Sequence, residues 1–458
     1  MSITASRFGN SALMMDWNGL VPHVKEFSTE HRATLGKAWE ATIQKLRDRV
    51  SGFYDCPVDP ELSQIEACET LAKKIQQEGN FTDCLFIGIG GSSLGPMCLI
   101  DSLKHLAKNQ INFHFFENPD PIDWAYRIQR LNPGKTLVCV VTKSGTTYET
   151  LSIFMLAFDW LKQHLGEDAA IKHTVAITDP EKSELLDLAR EKNIQTLYIS
   201  PSVGGRYSAF TPVGLFAMAL AGLNCQSFMI GAKKIREYCE KHYSTSDKNM
   251  FVNLAGSLQM LEITHPVHVM MPYSTPIRLV ANWWVQLWAE SLGKNGKGFT
   301  AVPSLGAVDQ HSMLQLLRDG PNDKVIWFLN LQNFNKPIEI PSIGFKSKTF
   351  DLLEKQDLGT LLDTEFRAIQ KVMFNQKRPA FQLQLDELNE EAMGSLFFFF
   401  CVLTSYMGEV IGENPFDQPG VEEGKVYIRE NLLKQKELKA ASKDQSADEV
   451  HRLRLGRN

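Results

Sequence analysis

Short apolar segments alternate with helix-like segments along the first half of the chain, after an N-terminal segment, residues 1–75, whose pattern is mostly helical. In that segment apolar side chains recur at the spacing of one buried helix face, at Leu35, Trp39, Ile43 and Leu46. The apolar segments beyond it predict buried strands at 84–90, 111–117, 136–142, 173–178 and 196–200. Short continuous strands separated by helices predict a parallel sheet covered on both faces, and right-handed crossovers make it doubly wound.

The same alternation is repeated in the second half of the chain. Strands are predicted at 268–272, 324–331 and 381–385, with helical stretches at 231–263, 276–292 and 390–411. The predicted fold class is therefore α/β, with two doubly wound parallel-sheet domains flanked by helices. We place the first domain at 76–227 and the second at 228–458, and the charged sequence after Leu433 predicts a solvated, helical C-terminal arm.

Composition and charge exclude several classes of protein. Of the 458 residues, 43% are apolar and 22% are charged, which is ordinary for a globular chain and unlike a disordered or fibrous one. The net charge of −5, from 48 basic and 53 acidic residues, gives no electrostatic reason to expect a nucleic-acid partner. The longest apolar run, Leu396 to Leu403, is too short to span a bilayer, so we expect no membrane association.

Cysteine and histidine patterns favour a metal-free cytoplasmic protein. The eight cysteines are scattered and none forms a Cys-x-x-Cys pair, which indicates reduced thiols. The N-terminus does not have the pattern of a signal peptide. His265 and His268 could ligate a metal, but no neighbouring acid or cysteine completes a site, so we interpret them as strand or loop histidines.

A glycine-rich loop, GIGGSSLGP, follows the first predicted strand at 88–96. Glycines there let backbone N–H groups approach an anion at the start of the next helix. The loop is not a Walker A motif, because Pro96 stands where lysine is needed, and Ser93 replaces the third glycine of a dinucleotide fingerprint. The pattern suits a single phosphate monoester, although a plain tight turn has the same composition.

A hydroxyl-rich loop, TKSGTTYET, follows the third predicted strand at 142–150 and contains five Ser or Thr residues. It lies at the carboxyl edge of the sheet, where ligands bind in open α/β folds. Thr146 and Glu149 also have the spacing of a helix capping box, and a capped helix start is itself an anion site. Two such loops at one sheet edge predict phosphate binding.

Two charged residues are candidates for proton and charge chemistry. Arg206, in GGRYSAFTPVGL at 204–215, could stabilise oxyanions at the same edge or form a structural ion pair. Glu290 lies one helical turn after Gln286 among tryptophans, in NWWVQLWAESLG. Partial burial would suit a general base, whereas an exposed face of the helix would leave Glu290 an ordinary surface residue.

Two later segments add further candidates. His311 follows Asp309 and is predicted to open a helix, HSMLQLLRDG, where it could act as a catalytic acid or base or be only an N-terminal helix residue. The segment NPFDQPGVEEGK at 414–425 places Gln418 and Lys425 on either side of a turn and helix start.

Six of these segments together resemble the glucose-6-phosphate isomerase (phosphoglucose isomerase) family and follow its order along residues 88–425. They are GIGGSSLGP, TKSGTTYET, GGRYSAFTPVGL, WAESLGK, VDQHSMLQLLRDGP and FDQPGVEEGK. The chain is similar to the compact bacterial form of the family. The resemblance implies two sugar-isomerase domains, each a parallel sheet flanked by helices.

The resemblance also implies a role for each candidate residue. The implied substrate-binding residues are Gly91, Ser92, Thr142, Lys143, Ser144, Thr147, Gly205, Gln286 and Gln418. The implied catalytic residues are Arg206, Glu290, His311 and Lys425. Glu290 would be the base, Arg206 would face the reacting carbons, and His311 with Lys425 would open the sugar ring. In this family the histidine comes from the neighbouring subunit, so a homodimer is implied.

The implied reaction is the reversible conversion of glucose 6-phosphate to fructose 6-phosphate, in glycolysis and gluconeogenesis, through a cis-enediol. It requires neither nicotinamide nor metal, so no cofactor is expected. A non-catalytic sugar-phosphate sensor on the same fold and an isomerase that accepts mannose 6-phosphate remain alternatives. A sensor, however, has no use for Glu290, His311 and Lys425 together.

Overall fold

The computed structural model describes residues 5–244 and 249–455, and its side chains as far as residue 438. The chain forms two compact units, Met1–Pro415 and Phe416–Asn458. The strands are β1 Ser6–Arg7, β2 Leu13–Asp16, β3 Asp83–Ile87, β4 Asn112–Phe116, β5 Thr136–Val141, β6 Thr174–Thr178, β7 Gln195–Tyr198, β8 Val267–Pro272, β9 Thr300–Pro303, β10 Lys324–Leu331 and β11 Ala380–Leu385.

The α-helices connect these strands and cover their faces. They are α1 Thr29–Arg47, α2 Pro60–Ser63, α3 Ile65–Glu78, α4 Leu94–Leu103, α5 Pro121–Ile128, α6 Tyr148–Leu165, α7 Glu167–Lys172, α8 Glu184–Lys192, α9 Pro212–Leu220, α10 Cys225–Lys241, α11 Met250–Leu261, α12 Arg278–Leu292, α13 Leu314–Asp319, α14 Lys348–Leu353, α15 Leu358–Asn375, α16 Glu390–Ile411 and α17 Glu422–Leu455. The first sixteen belong to the first unit, and α17 forms most of the second.

The first sheet is fully parallel and has the strand order β4-β3-β5-β6-β7. Renumbered from its first strand this order is 2-1-3-4-5, that of a doubly wound sheet whose order reverses between β3 and β5. All six residues of β5 are buried, because helices cover both faces of the sheet. The predicted first sheet is therefore confirmed, and the edge at which open α/β sheets bind ligands lies after β3 and β5.

The second sheet is mixed and has the order β1-β2-β11-β10-β8-β9. Its four strands β11, β10, β8 and β9 are parallel, as the sequence predicts for three of them. The short strands β1 and β2 add an antiparallel edge from the N-terminal segment, which the sequence pattern predicts as mostly helical. The hydrophobic pattern misses β1, β2 and β9, which are two to four residues long.

Helix α16 is the central element of the first unit. Asn389 caps its first turn by accepting a hydrogen bond from the Ala392 N–H at 2.9 Å, and Gly412, at φ 74°, ends it in a left-handed conformation. The helix packs against α1, α10, α11 and α12. It is apolar and long enough to cross a membrane by length and composition, but 89% of its most apolar window is buried inside the protein. Its apolar sequence is therefore explained by the core it fills.

His268 lies on β8 and packs against several aromatic rings. It stacks on Phe299 at 4.3 Å and lies 5.4 Å from Trp327, between ring centroids. Neither ring nitrogen has a hydrogen-bond partner among the described residues. Burial lowers the pKa of His268 to about 3, so the imidazole is neutral at physiological pH. The interpretation of this residue as a strand histidine is confirmed.

We predict that His268 makes the fold sensitive to acid. In the unfolded chain the imidazole has a pKa of about 6.5, so above that pH neither state is protonated and the free energy of unfolding is unaffected by this group. As the pH falls below about 6.5, the unfolded state takes up a proton that the folded state does not, and the free energy of unfolding decreases. At pH 5 this one group lowers the free energy of unfolding by about 2 kcal/mol. Replacement His268→Leu should remove this part of the pH dependence, measured by urea unfolding at pH 7 and pH 5.

The exposed His164 provides the matched control. The variant His164→Gln should keep the full loss of stability between the two pH values. An unchanged pH dependence in His268→Leu would contradict the prediction.

Candidate active site

The two predicted phosphate loops flank the point where the order of the first sheet reverses. One follows β3 and leads into α4, and the other follows β5 and leads into α6. Because β3 and β5 are neighbours and run parallel, both loops lie at the same carboxyl edge. The fold therefore brings together two segments that are about fifty residues apart in the sequence.

The first loop contains a short 3-10 helix, Gly90–Ser92, before α4 begins. Gly90 has φ 58°, a left-handed conformation that glycine adopts without strain. The Ser92 hydroxyl is half-buried and has no hydrogen-bond partner among the described residues. The hydroxyl of the buried Ser93 donates instead to the carboxylate of Glu117, at the end of β4. Ser92 is thus available to a ligand, whereas Ser93 anchors the loop.

The second loop keeps its hydroxyls close to the start of α6. Thr142 Oγ1 lies 3.1 Å from Thr147 Oγ1, and Ser144 Oγ accepts a hydrogen bond from the Thr146 N–H at 3.3 Å. The N-cap of α6 is Thr147, without a side-chain cap, so the predicted capping box of Thr146 and Glu149 is wrong. The first turn of α6 therefore presents its N–H groups beside several hydroxyls, an arrangement suited to an anion.

Lys143 connects the second loop to the segment that precedes Arg206. Its Nζ donates to the carbonyl oxygens of Pro201, at 2.7 Å, and Val203, at 3.0 Å. Burial lowers the pKa of Lys143 from its ordinary value. The side chain thus joins the second loop to the arginine segment through carbonyl contacts, and its predicted part in substrate binding stays a prediction.

Gly91 and Gly205 form the closest contact between the first loop and the arginine segment. A Cβ on Gly91 would lie 2.2 Å from the Gly205 carbonyl carbon and 2.6 Å from the Arg206 nitrogen. Ser208 Oγ bridges the two, at 2.7 Å from the Gly205 carbonyl oxygen and 3.2 Å from that of Gly91. Only glycine fits at position 91, because two backbones meet there.

Arg206 and Glu290 form an ion pair at this junction, with 3.0 Å between Arg206 Nη1 and Glu290 Oε1. The second carboxylate oxygen of Glu290 accepts from Gln286 Nε2 at 3.0 Å. The arginine side chain is only 3% exposed, whereas that of Glu290 is 27% exposed. The Glu290 carboxylate is thus only partly exposed, and Arg206 forms an ion pair with it, while the role of Arg206 towards a substrate stays a prediction.

Gln286 links this ion pair to the first loop. Gly90 lies against its amide, since a Cβ at that position would be 2.9 Å from Gln286 Nε2. The contacts of Lys143, Gly91 and Gln286 therefore join both phosphate loops, Arg206 and Glu290 into one continuous site. A base, a fixed cation and anion-binding loops are the groups required to move a proton on a phosphorylated substrate.

His311 lies in a different local structure from the one predicted. It ends a 3-10 helix, Val308–His311, and α13 begins only at Leu314, so the prediction that it opens a helix is wrong. The Asp309 carboxylate organises this loop by accepting from the Leu305 N–H at 2.7 Å and the Ser312 hydroxyl at 2.7 Å. The His311 side chain is exposed, without a hydrogen-bond partner among the described residues.

Gln418 and Lys425 belong to the second unit. Gln418 is half-buried and precedes a 3-10 helix, Pro419–Val421. Lys425, in the first turns of α17, pairs with Glu422 at 2.7 Å, and both side chains are largely exposed. Their roles stay predictions.

Metal ligands are not clustered in the part of the chain that the structure describes, where no group of three or more His, Cys, Asp or Glu side chains could hold an ion. His265 Nδ1 pairs with the Thr264 hydroxyl at 2.9 Å, and His268 is enclosed by aromatic rings. Asp323 lies near His265, but among the described residues these side chains do not form the group of three or more ligands that a zinc site needs.

Sequence comparisons match most of this chain to one family. A sequence model described as phosphoglucose isomerase matches residues 62–450. The glucose-6-phosphate isomerase of Carboxydothermus hydrogenoformans is 35% identical over 395 residues, which cover 82% of this chain and 83% of that relative. A glucose-6-phosphate isomerase of Thermus thermophilus is 37% identical over 416 residues, covering 89% of this chain and 97% of that relative.

Solved structures are similar over nearly the whole chain. A hypothetical protein from Thermus thermophilus has a TM-score of 0.85 and 32% identity, covering 92% of this chain and 99% of its own. A glucose-6-phosphate isomerase from Chlamydia trachomatis has a TM-score of 0.76, covering 94% and 90%, and at 20% identity it shows the fold alone.

We predict that Gly91→Ala separates the first loop from the arginine segment. The added methyl would overlap the Gly205 backbone, so we expect a loss of about 1–3 kcal/mol in the free energy of unfolding and about tenfold weaker binding of inorganic phosphate. Urea unfolding and calorimetric titration measure the two effects.

Gly134→Ala is the matched control, because a Cβ there would approach only Asn132 Oδ1, at 3.4 Å. It should retain both stability and phosphate affinity. Equal behaviour of the two variants would contradict the close-packing argument.

Proposed function

The chain belongs to the phosphoglucose isomerase family, and on that premise we propose that it catalyses the reversible isomerisation of glucose 6-phosphate to fructose 6-phosphate. The observation that carries this proposal is the Arg206–Glu290 ion pair, joined through Gly91 and Gln286 to two anion-binding loops. A binding protein needs the loops alone. An aldose–ketose isomerase also needs a base and a fixed positive charge beside it.

The phosphate group has an anchoring role in this proposal. Ser92, Ser144 and the threonines 142 and 147 would hold it with the N–H groups at the start of α6. Lys143 and the glycines at 91 and 205 would keep the loops in place. The phosphate does not react, so its binding energy is available to position the sugar carbons against the base.

Glu290 is the proposed base. With the ring open, its carboxylate takes the proton from C2 and returns it to C1, while the proton of the C2 hydroxyl passes to the C1 oxygen. One carboxylate can serve both carbons because they are adjacent. Negative charge develops on the oxygens of the cis-enediol intermediate, and the Arg206 guanidinium beside Glu290 would stabilise it. No electrons leave the sugar, so we propose that the reaction uses neither a redox cofactor nor a metal.

Ring opening is assigned to His311 and Lys425 by family resemblance. The exposed imidazole of His311, without a partner among the described residues, is compatible with contribution to a neighbouring subunit's site. We therefore propose a homodimer in which each His311 completes the other protomer's site. The eight free, buried cysteines support a reducing, cytoplasmic location.

We predict that Glu290→Gln lowers kcat by about 10²- to 10⁴-fold while KM changes little, because the variant loses proton transfer but keeps the shape of the site. The new amide oxygen can accept from Arg206, and the Gln286 amide can turn over to accept from the new NH2 group. The measurement is a coupled assay with fructose 6-phosphate, NADP and glucose-6-phosphate dehydrogenase, with EDTA present.

Gln315→Glu is the control variant, since Gln315 is an exposed residue of α13 whose side-chain amide donates a hydrogen bond to Asp319 at 3.0 Å. It should retain wild-type kinetics. A Glu290→Gln enzyme with near-normal kcat would refute the assignment of the base, and an inactive wild type would refute the proposed function.

We predict that mixing two inactive variants, Glu290→Gln and His311→Ala, restores part of the activity, because in the proposed homodimer each active site takes Glu290 from one protomer and His311 from the other. Glu290→Gln and His311→Ala are expressed separately, then mixed, dissociated in mild denaturant and reassociated. Random pairing should recover about a quarter of wild-type activity, because half of the dimers are mixed and each mixed dimer has one intact site. No recovery above the parent variants, with dimers present by light scattering, would show that His311 acts within its own protomer.

A further inference from the structure

We propose that Ser291 and Tyr207 are positioning residues that fix the orientation of the Arg206 guanidinium and, through it, the Glu290 carboxylate. This inference rests on the proposed function and deepens it. Both residues lie beside catalytic candidates in the sequence, yet neither carries a charge or a pattern that indicates a role. Their importance is visible only in the contacts that they make.

Four hydrogen bonds form a closed circuit along one side of the guanidinium. Arg206 Nε donates to Ser291 Oγ at 2.6 Å, and Arg206 Nη2 donates to the Pro415 carbonyl oxygen at 2.6 Å. The Tyr207 hydroxyl lies 3.1 Å from that carbonyl oxygen and 3.2 Å from Ser291 Oγ, which closes the circuit. Ser291 is fully buried, and Tyr207 is 1% exposed.

The chemistry of these groups fixes the direction of every bond. A carbonyl oxygen can only accept, so Tyr207 donates its hydroxyl hydrogen to Pro415. Tyr207 Oη then accepts from the Ser291 hydroxyl, and Ser291 Oγ keeps a lone pair for Arg206 Nε. Burial raises the pKa of Tyr207 to about 12, so the phenol stays protonated and remains a donor at neutral pH.

The circuit determines the direction of the third guanidinium nitrogen, Arg206 Nη1. The group is planar, so fixing Nε and Nη2 also fixes Nη1, which meets Glu290 Oε1 at 3.0 Å. Ser291 directly follows Glu290 on α12, so one rigid helix carries both the proposed base and the acceptor that orients its partner. A rotation of the guanidinium would therefore displace the charge from the reacting carbons without removing any phosphate contact.

The test compares steady-state kinetics of Ser291→Ala, Tyr207→Phe and the double variant. Each single change should lower kcat about tenfold and leave KM within about twofold, because misplacement of a catalytic group affects the transition state more than substrate binding. Both residues act through one circuit, so the double variant should lose about as much as the more impaired single variant.

Ser395→Ala is the matched control. It removes another fully buried hydroxyl, which donates at 3.1 Å to the carbonyl oxygen of Gly231 on α10, a helix that carries none of the proposed site residues. Its kcat should equal that of the wild type. Circular dichroism and thermal unfolding establish that each variant is folded.

The outcomes separate this inference from the proposed function. An inactive wild type overturns both. An active wild type with a Ser291→Ala kcat within twofold of normal overturns the inference alone, as do losses that multiply in the double variant. If Ser291→Ala does not fold, Tyr207→Phe tests the inference by itself, because it keeps the aromatic ring and Ser291. A reduced kcat at constant KM then supports the circuit, and an unchanged kcat overturns the inference.

Discussion

A buried guanidinium needs hydrogen-bond acceptors for its N–H donors, and Arg206 has such acceptors on each of its three nitrogen atoms. Its partners include the Glu290 carboxylate, the Ser291 hydroxyl and the Pro415 carbonyl, which come from α12 and from the last residue of the first unit. Removing one member of a buried ion pair typically costs about 3–5 kcal/mol, because the remaining charge is left uncompensated. The same contacts thus stabilise the fold and align the proposed base.

The segments around Arg206 are arranged to keep it in that position. The loop after α12 holds the chain on either side of Gly412, since Lys297 Nζ donates to the Ile411 carbonyl at 2.7 Å and Asn295 Nδ2 to Glu413 at 2.9 Å. On the other side, the contact of Gly91 with Gly205 presses the first loop against the arginine segment. The buried charge therefore depends on both halves of the first unit, and so does the site.

Periodicity and turn chemistry were sufficient for most of the architecture. The five strands of the first sheet and helices such as α12 and α16 are long or apolar enough to be read from local sequence. The loops after β3 and β5 could be predicted to lie side by side, as candidate anion sites, because a parallel sheet places all its carboxyl ends at one edge. The antiparallel edge strands β1 and β2 could not be predicted in this way, because they are very short and because β2 pairs with β11, which is distant in the sequence.

The sequence by itself determined the fold class, the positions of the two candidate phosphate loops and the choice of Arg206 and Glu290 as charged candidates, because each depends on local pattern or on motifs in a fixed order. Only the tertiary structure decided that these two residues pair and that Ser93 donates to Glu117. It also decided that Ser291 accepts from Arg206 and lies next to the Tyr207 hydroxyl. These contacts join residues up to 209 positions apart, as between Arg206 and Pro415. Such contacts depend on distances between side chains in the folded chain, which spacing along the sequence does not encode.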